Sequence, residues 1–109
     1  MALTFDIERQ LQKVQLVAFF DAHRDVWLAA ARRSYEFVVH NFPAGAEIRQ
    51  DDVAKILMPI IEADASLDAE IGRRKLTQKY WKSRFVDLII ARTWNEIHGG
   101  QHGNQQGNG

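Results

Sequence analysis

The sequence predicts an all-α protein, a compact bundle of four to five helices with a long aromatic C-terminal helix at its centre. Apolar residues recur at helical spacing through most of the chain, and Pro and Gly punctuate these stretches. The 109 residues are 46% hydrophobic and 26% charged, which is typical of a folded domain and not of a disordered chain. We therefore expect a single helical domain over residues 1–98, followed by a flexible Gly/Asn/Gln-rich tail over residues 99–109.

The first forty residues contain no Gly or Pro between Ala2 and Phe42. Their apolar positions at helical spacing are Leu11, Val14, Ala18, Val26, Ala30, Tyr35, Val38 and Phe42. One helix of that length is long for a small domain, so we favour two helices with Asp21 as the N-cap of the second, while one continuous helix stays open. Pro43 and Gly45 are predicted to end the second helix and to turn the chain.

A third helix is predicted to begin near Gln50. With Arg49 as its N-cap, Ile48 and Val53 occupy the two positions of a hydrophobic staple. Pro59 falls inside the apolar pattern, where it removes a backbone donor and clashes with the preceding turn. We expect a kink there, or two shorter helices that meet at the proline.

The C-terminal part of the domain begins with Asp64, which we expect to cap a short turn that runs through Ile71 and ends at Gly72. The last helix is predicted from about Lys75 to Ile97 and has apolar residues on more than one stripe. Four of its residues are expected to turn inward together: Tyr80, Trp81, Phe85 and Leu88. This helix therefore organises the predicted core.

Charge is unevenly distributed, although the chain as a whole is neutral. Residues 43–71 carry seven acidic and two basic side chains, whereas residues 73–98 carry seven basic and two acidic ones. The candidate binding face consists of Arg73, Arg74, Lys75, Gln78, Lys79, Lys82 and Arg84. On a helix, Lys75, Lys79 and Lys82 share one side and could follow nucleic-acid phosphates. We favour the alternative, in which these bases solvate an exposed surface and face the acidic segment.

Catalytic and metal-binding patterns are not recognisable in the sequence. Cys is absent, and no phosphate loop or nucleophile elbow occurs. His23 and His40 are far apart, while Gly99 and Gly100 break the helical spacing between His98 and His102. The acidic residues at 64, 68 and 70 lack the Gly and Glu positions of a calcium loop. We therefore expect no enzymatic activity, no metal and no cofactor.

The helix-turn-helix class and the membrane class are also disfavoured. Residues 49–57 resemble the first helix of a helix-turn-helix DNA-binding motif, but the apolar run 58–61 stands where the turn is required. The segment after it, which would have to be the recognition helix, is acidic and would be repelled by DNA phosphates. The N-terminus lacks the features of a signal peptide, and charges interrupt every apolar stretch. We expect a cytoplasmic protein with no membrane partner.

The function we rank first is a non-enzymatic interaction module that binds another protein, including a second copy of itself as a homodimer. A domain of this size has difficulty burying ten aromatic residues: Phe19, Phe20, Trp27, Tyr35, Phe37, Phe42, Tyr80, Trp81, Phe85 and Trp94. One alternative is a nucleic-acid accessory protein that uses the basic face. The other is a small-molecule site between helices, lined by aromatics and gated near Pro59.

Overall fold

The described part of the chain, in a computed structural model, covers residues 2–98, with side chains from residue 6 onward. Its six helices are α1 (Ala2–Lys13), α2 (Leu16–Ala22), α3 (Arg24–Asn41), α4 (Gln50–Glu62), α5 (Ala65–Arg73) and α6 (Gln78–Ile97). The predicted all-α bundle is confirmed, and the N-terminal half contains three helices instead of two. The expected tail at 99–109 lies outside the described residues.

Two breaks divide the N-terminal half, and neither is at Asp21. Helix α1 ends where Gln15 adopts a left-handed conformation (φ 62°) and its N–H donates to the Gln12 carbonyl at 3.0 Å. Helix α2 ends at Ala22, and the carbonyl of the next residue, His23, accepts from the amides of Val26 and Trp27 at the start of α3. The N-cap role predicted for Asp21 is therefore wrong, because this residue lies inside α2.

Helix α4 begins at the predicted position. The backbone N–H of Arg49 donates to the Asp52 carboxylate at 2.9 Å, so the side chain three residues into the helix closes its N-terminus. Val53 is fully buried, and Ile48 is packed against the core. The alternative of two helices meeting at Pro59 is wrong, since α4 runs through the proline and ends three residues later at Glu62.

Helix α5 begins at its predicted cap, where the Asp64 carboxylate accepts from the Leu67 N–H at 2.8 Å. Its end differs from the prediction. The Lys75 and Leu76 amides donate back to the Gly72 and Ile71 carbonyls at 2.9 and 3.2 Å, which is a Schellman motif. Lys75 takes the left-handed position of this motif (φ 58°), so the helix continues through Gly72 instead of ending there.

Helix α6 is central, as expected, because it contacts α1, α3, α4 and α5. It starts at Gln78, three residues later than predicted, because the Schellman motif occupies Lys75 and Leu76. The Phe85 ring is fully buried and meets the Trp27 ring edge-on, with centroids 5.1 Å apart. Phe85 is thus a point where the N-terminal half of the chain packs onto α6.

The four residues predicted to point inward from α6 do not behave alike. Phe85 and Leu88 are fully buried, which confirms this part of the prediction. Trp81 is half-buried and packs against the core cluster. The prediction for Tyr80 is wrong, because its side chain is 47% exposed. Tyr80 lies in the first turn of α6, where the neighbouring α5 contacts the opposite side through Gln78 and Lys82.

Ion pairs attach the N-terminal helices to the C-terminal half of α6. The Arg92 Nε donates to the Glu8 carboxylate at 2.5 Å, and its guanidinium lies 5.6 Å from the Phe20 ring centroid. This hydrogen bond lowers the pKa of Glu8, which accepts it, and raises the pKa of Arg92, which donates it. A second pair joins Arg24 to Glu96. These contacts fix the N-terminal half of the chain on the central helix.

Candidate functional site

The seven residues of the predicted basic face are divided between two helices and their connection. Arg73 ends α5, Arg74 follows it, and Lys75 lies in the connection. Gln78, Lys79, Lys82 and Arg84 belong to α6. The prediction that Lys75, Lys79 and Lys82 share one helical side is wrong, because Lys75 precedes α6 and Lys82 is buried.

The two arginines at the end of α5 converge on one carboxylate. Glu70 accepts from the Arg73 guanidinium at 2.5 Å and from Arg74 at 2.5 and 3.0 Å. The hydrogen bond from Arg74, followed by that from Arg73, lowers the pKa of Glu70. Two of the seven candidate residues are therefore paired with one acidic residue of α5, whose single negative charge compensates one of their two positive charges.

Lys82 is the residue that joins three helices. Its side chain is 10% exposed, and its Nζ donates to the Glu62 carbonyl at 3.1 Å and to the Asp68 carboxylate at 3.0 Å. These acceptors lie at the last residue of α4 and in α5, while Lys82 belongs to α6. The lysine thus satisfies a carbonyl that a helix end leaves without an intrahelical partner. We call Lys82, Glu62 and Asp68 the lysine clasp.

The remaining members of the predicted face are also partly engaged. The Gln78 amide donates to the Asp68 carbonyl at 3.2 Å. The Arg84 guanidinium lies 3.9 Å from the Asp87 carboxylate and 6.0 Å from the centre of the Tyr80 ring. Lys75 and Lys79 are exposed. Five of the seven residues therefore make side-chain contacts with other described residues, whereas Lys75 and Lys79 remain available at the surface.

One exposed side of α3 bears two large apolar side chains among polar ones. Val26 and Phe37 are 54% and 53% exposed. At about 100° per residue they lie about 20° apart around the helix and about 16 Å apart along it. What we call the α3 stripe consists of the following exposed residues, which together span about 100° of the helix surface: Val26, Ala29, Arg33, Glu36, Phe37 and His40. Val39, although 40% exposed, lies about 160° from Phe37 on this helix.

A pocket of about 610 Å³ lies where the end of α6 meets α3 and the start of α4. We call it the aromatic pocket; its lining residues are Tyr35, Ala46, Glu47, Ile48, Arg49, Gln50, Trp94 and His98. The Trp94 and His98 rings are stacked, with 5.0 Å between centroids and 5° between planes. Tyr35 meets Trp94 edge-on at 5.9 Å.

Sequence reasoning did not single out the aromatic pocket. Trp94 and His98 are four residues apart in one helix, which predicts that their side chains are neighbours. That spacing is the only local signal. Tyr35 and Arg49 come from other parts of the chain, and their approach depends on how α3 and α4 pack against α6.

A second pocket, of about 430 Å³, lies between α4 and α6 and is lined by Asp51, Ala54, Lys55, Met58, Ser83, Val86 and Asp87. Burial raises the pKa of Asp87, Arg84 opposes this shift, and Asp51 adds to it. Met58 places this pocket beside Pro59, where the small-molecule alternative expected a gate. The aromatic pocket, by contrast, lies at the other end of α4.

Within residues 2–98, no group of three or more His, Asp or Glu side chains converges in a way that would hold a metal ion. His102, which we expect not to pair with His98, lies outside the described residues. Within the same range, no helix combines the length and the apolar character required to cross a bilayer.

Comparison of the chain with protein-family models, with curated proteins and with solved structures found no match in any of the three. The pockets, the α3 stripe and the basic residues are therefore interpreted from their own geometry.

Proposed function

We propose that the protein is a non-enzymatic interaction module that self-associates by antiparallel packing of the α3 stripe against the same stripe of a second copy. The observation that carries the proposal is where the exposed apolar side chains lie. Among the described residues, six large apolar side chains are 37–54% exposed. Two of them, Val26 and Phe37, belong to the α3 stripe, and a third, Phe42, directly follows α3. Half of the exposed large apolar side chains therefore lie on this stripe or at the residue that follows its helix, where one partner could cover them.

The charges of the stripe favour a second copy as the partner. Arg33 and Glu36 lie one turn apart and are both exposed. When two copies of α3 run antiparallel around a two-fold axis level with residues 34 and 35, Arg33 lies opposite Glu36 of the second copy. Symmetry then creates the same pair a second time. A parallel arrangement in register would place like charges opposite each other, which is destabilising.

The same antiparallel register brings the apolar residues together. Val26 reaches the level of Pro43 of the second copy, next to Phe42, which is 37% exposed. Ala29 lies opposite His40, so a small side chain faces a ring. The two Phe37 side chains lie about 7–8 Å apart along the axis, on either side of the two-fold. The Arg33–Glu36 pairs therefore lie nearest the two-fold axis, and the apolar contacts of Phe37 and Val26 lie beyond them.

Sedimentation equilibrium over a concentration series tests the proposal. The wild-type mass is expected to rise from one chain toward two. Phe37→Ser should weaken the dimer at least tenfold, because each interface loses this side chain twice. The matched control is Val39→Ser, since Val39 is also exposed on α3 but lies outside the stripe. A mass of one chain at every concentration, or equal weakening by Val39→Ser, would overturn the proposal.

A further inference from the structure

The aromatic pocket has the size and composition of a small-molecule site, independently of any contact made by the α3 stripe. Its volume of about 610 Å³ falls in the range of ligand pockets. The stacked rings of Trp94 and His98 and the Tyr35 ring give it flat apolar walls. Glu47, Arg49 and Gln50 border the same space with polar groups. Flat walls and a polar border together favour a planar ligand with a charged end.

Tyr35 provides a second observation. Its side chain is only 5% exposed, and it lines the pocket. Its hydroxyl makes no hydrogen bond among the described residues, and it is not one of the polar atoms sealed from solvent, so it is accessible to water. An acceptor atom of a ligand would replace the water that such an accessible hydroxyl otherwise binds.

Charge indicates which end of the ligand is anionic. The exposed Arg49 side chain borders the pocket and makes no ion pair within residues 6–98. The fork of its guanidinium matches the two oxygens of a carboxylate. Glu47 lines the same pocket, so an anion would be held on the Arg49 side and excluded from the glutamate side.

We propose that this pocket binds a planar aromatic carboxylate, with the ring against Trp94 and His98, the carboxylate on the Arg49 guanidinium, and the Tyr35 hydroxyl donating to a ligand oxygen. Tyr35 and Phe37 point about 160° apart on α3. Ligand binding and self-association therefore use opposite sides of the helix and can be measured separately.

Proton–nitrogen correlation spectra of the indole groups test this proposal on the full chain. The probes are naphthoate, which has the ring and the anion, naphthalenemethanol, which has only the ring, and acetate, which has only the anion. Naphthoate should shift the Trp94 indole signal, assigned with Trp94→Phe, and leave the signal of the buried Trp27 unchanged. Acetate should shift neither, and naphthalenemethanol should bind at least tenfold more weakly than naphthoate.

Two substitutions then locate the contacts. Arg49→Gln should weaken naphthoate binding about tenfold and leave naphthalenemethanol binding unchanged, because only the charged contact is lost. Tyr35→Phe should weaken naphthoate binding about threefold. The controls are Arg32→Gln, which removes an exposed arginine outside the pocket, and Phe37→Ser, and both should bind naphthoate as the wild type does. Equal affinity for the neutral probe, no saturable shift, or full binding by Arg49→Gln would refute the proposal.

Discussion

Replacement of Lys82 by Met tests whether the lysine clasp holds three helices together. Met keeps an unbranched apolar side chain in the space of the lysine stem and removes the ammonium group. Two hydrogen bonds are lost, one to the Glu62 carbonyl at 3.1 Å and one to the Asp68 carboxylate at 3.0 Å. The end of α4 then loses its cation, and α5 loses its charged link to α6.

The magnitude follows from the exposure of each partner. A hydrogen bond with a charged group is worth about 1.5–3 kcal/mol when both partners are buried. The Asp68 side chain is 58% exposed, so solvent screening reduces its contribution to about 0.5 kcal/mol. The bond to the Glu62 carbonyl contributes about 1 kcal/mol, since this carbonyl is accessible to water once the lysine is gone. The expected loss of unfolding free energy is about 1–1.5 kcal/mol.

Thermal and urea unfolding measure this loss. A domain of this size is expected to lose about 4–10 °C in Tm. Lys79→Met is the matched control, because Lys79 is exposed in the same helix, and it should change the unfolding free energy by less than about 0.5 kcal/mol. Asp68→Asn should cost about 0.5 kcal/mol alone. If Lys82→Met unfolds at the wild-type temperature, or no lower than Lys79→Met, the structural use of this lysine is refuted.

Three further substitutions test local features of the fold. Asp87→Asn should raise Tm at neutral pH, because burial raises the pKa of Asp87 and its ionisation therefore opposes folding above the unfolded-state pKa. The gain in Tm should disappear in acid, and a lower Tm at neutral pH would contradict this reasoning. Glu8→Gln should cost about 1 kcal/mol at neutral pH. The Glu8 pKa is lowered by Arg92, so this stabilisation is present above the unfolded-state value and lost as the pH falls through the folded one; unfolding curves of the two proteins should converge in acid. Lys75→Gly should stabilise the protein by about 0.5–1 kcal/mol in urea unfolding, because glycine adopts the left-handed position without steric cost; a destabilised variant would contradict this reasoning.

Local signals account for the parts of the fold that the sequence predicts well. The starts of α4 and α5 depend on side chains within four residues of the helix end, as at Asp52 and Asp64. The helix breaks at Gln15 and Lys75 are different. Both residues adopt a left-handed conformation without being glycine, so the sequence contains no marker for it. Backbone hydrogen bonds close both turns, from Gln15 to Gln12 and from Lys75 to Gly72, and backbone bonds leave no trace in the residue types.

Surface features were harder to predict because they depend on which side of each helix is covered. The number of aromatic residues correctly suggests that some are exposed, and three of the ten are: Phe37, Phe42 and Tyr80. Periodicity alone placed Tyr80 inside. It also left open whether Lys82 faces solvent or the preceding acidic segment. Because Lys82 contacts Asp68 and Glu62, its substitution would disturb the packing of α4 and α5 on α6. The nucleic-acid alternative is therefore best tested by substituting the exposed Lys75 and Lys79 and measuring binding to DNA or RNA at low salt.

Charge exchange between the two halves of the proposed interface tests self-association most directly. Arg33→Glu alone places acidic side chains opposite Glu36 of the second copy, and Glu36→Arg alone places basic side chains opposite Arg33. Each variant is therefore expected to sediment as a monomer. Mixed in equal amounts, the two restore every opposite-charge pair of the antiparallel register, and the mixture should sediment as a dimer. A mixture that remains monomeric while the wild type dimerises, or single variants that dimerise as the wild type does, would contradict the proposed packing of α3.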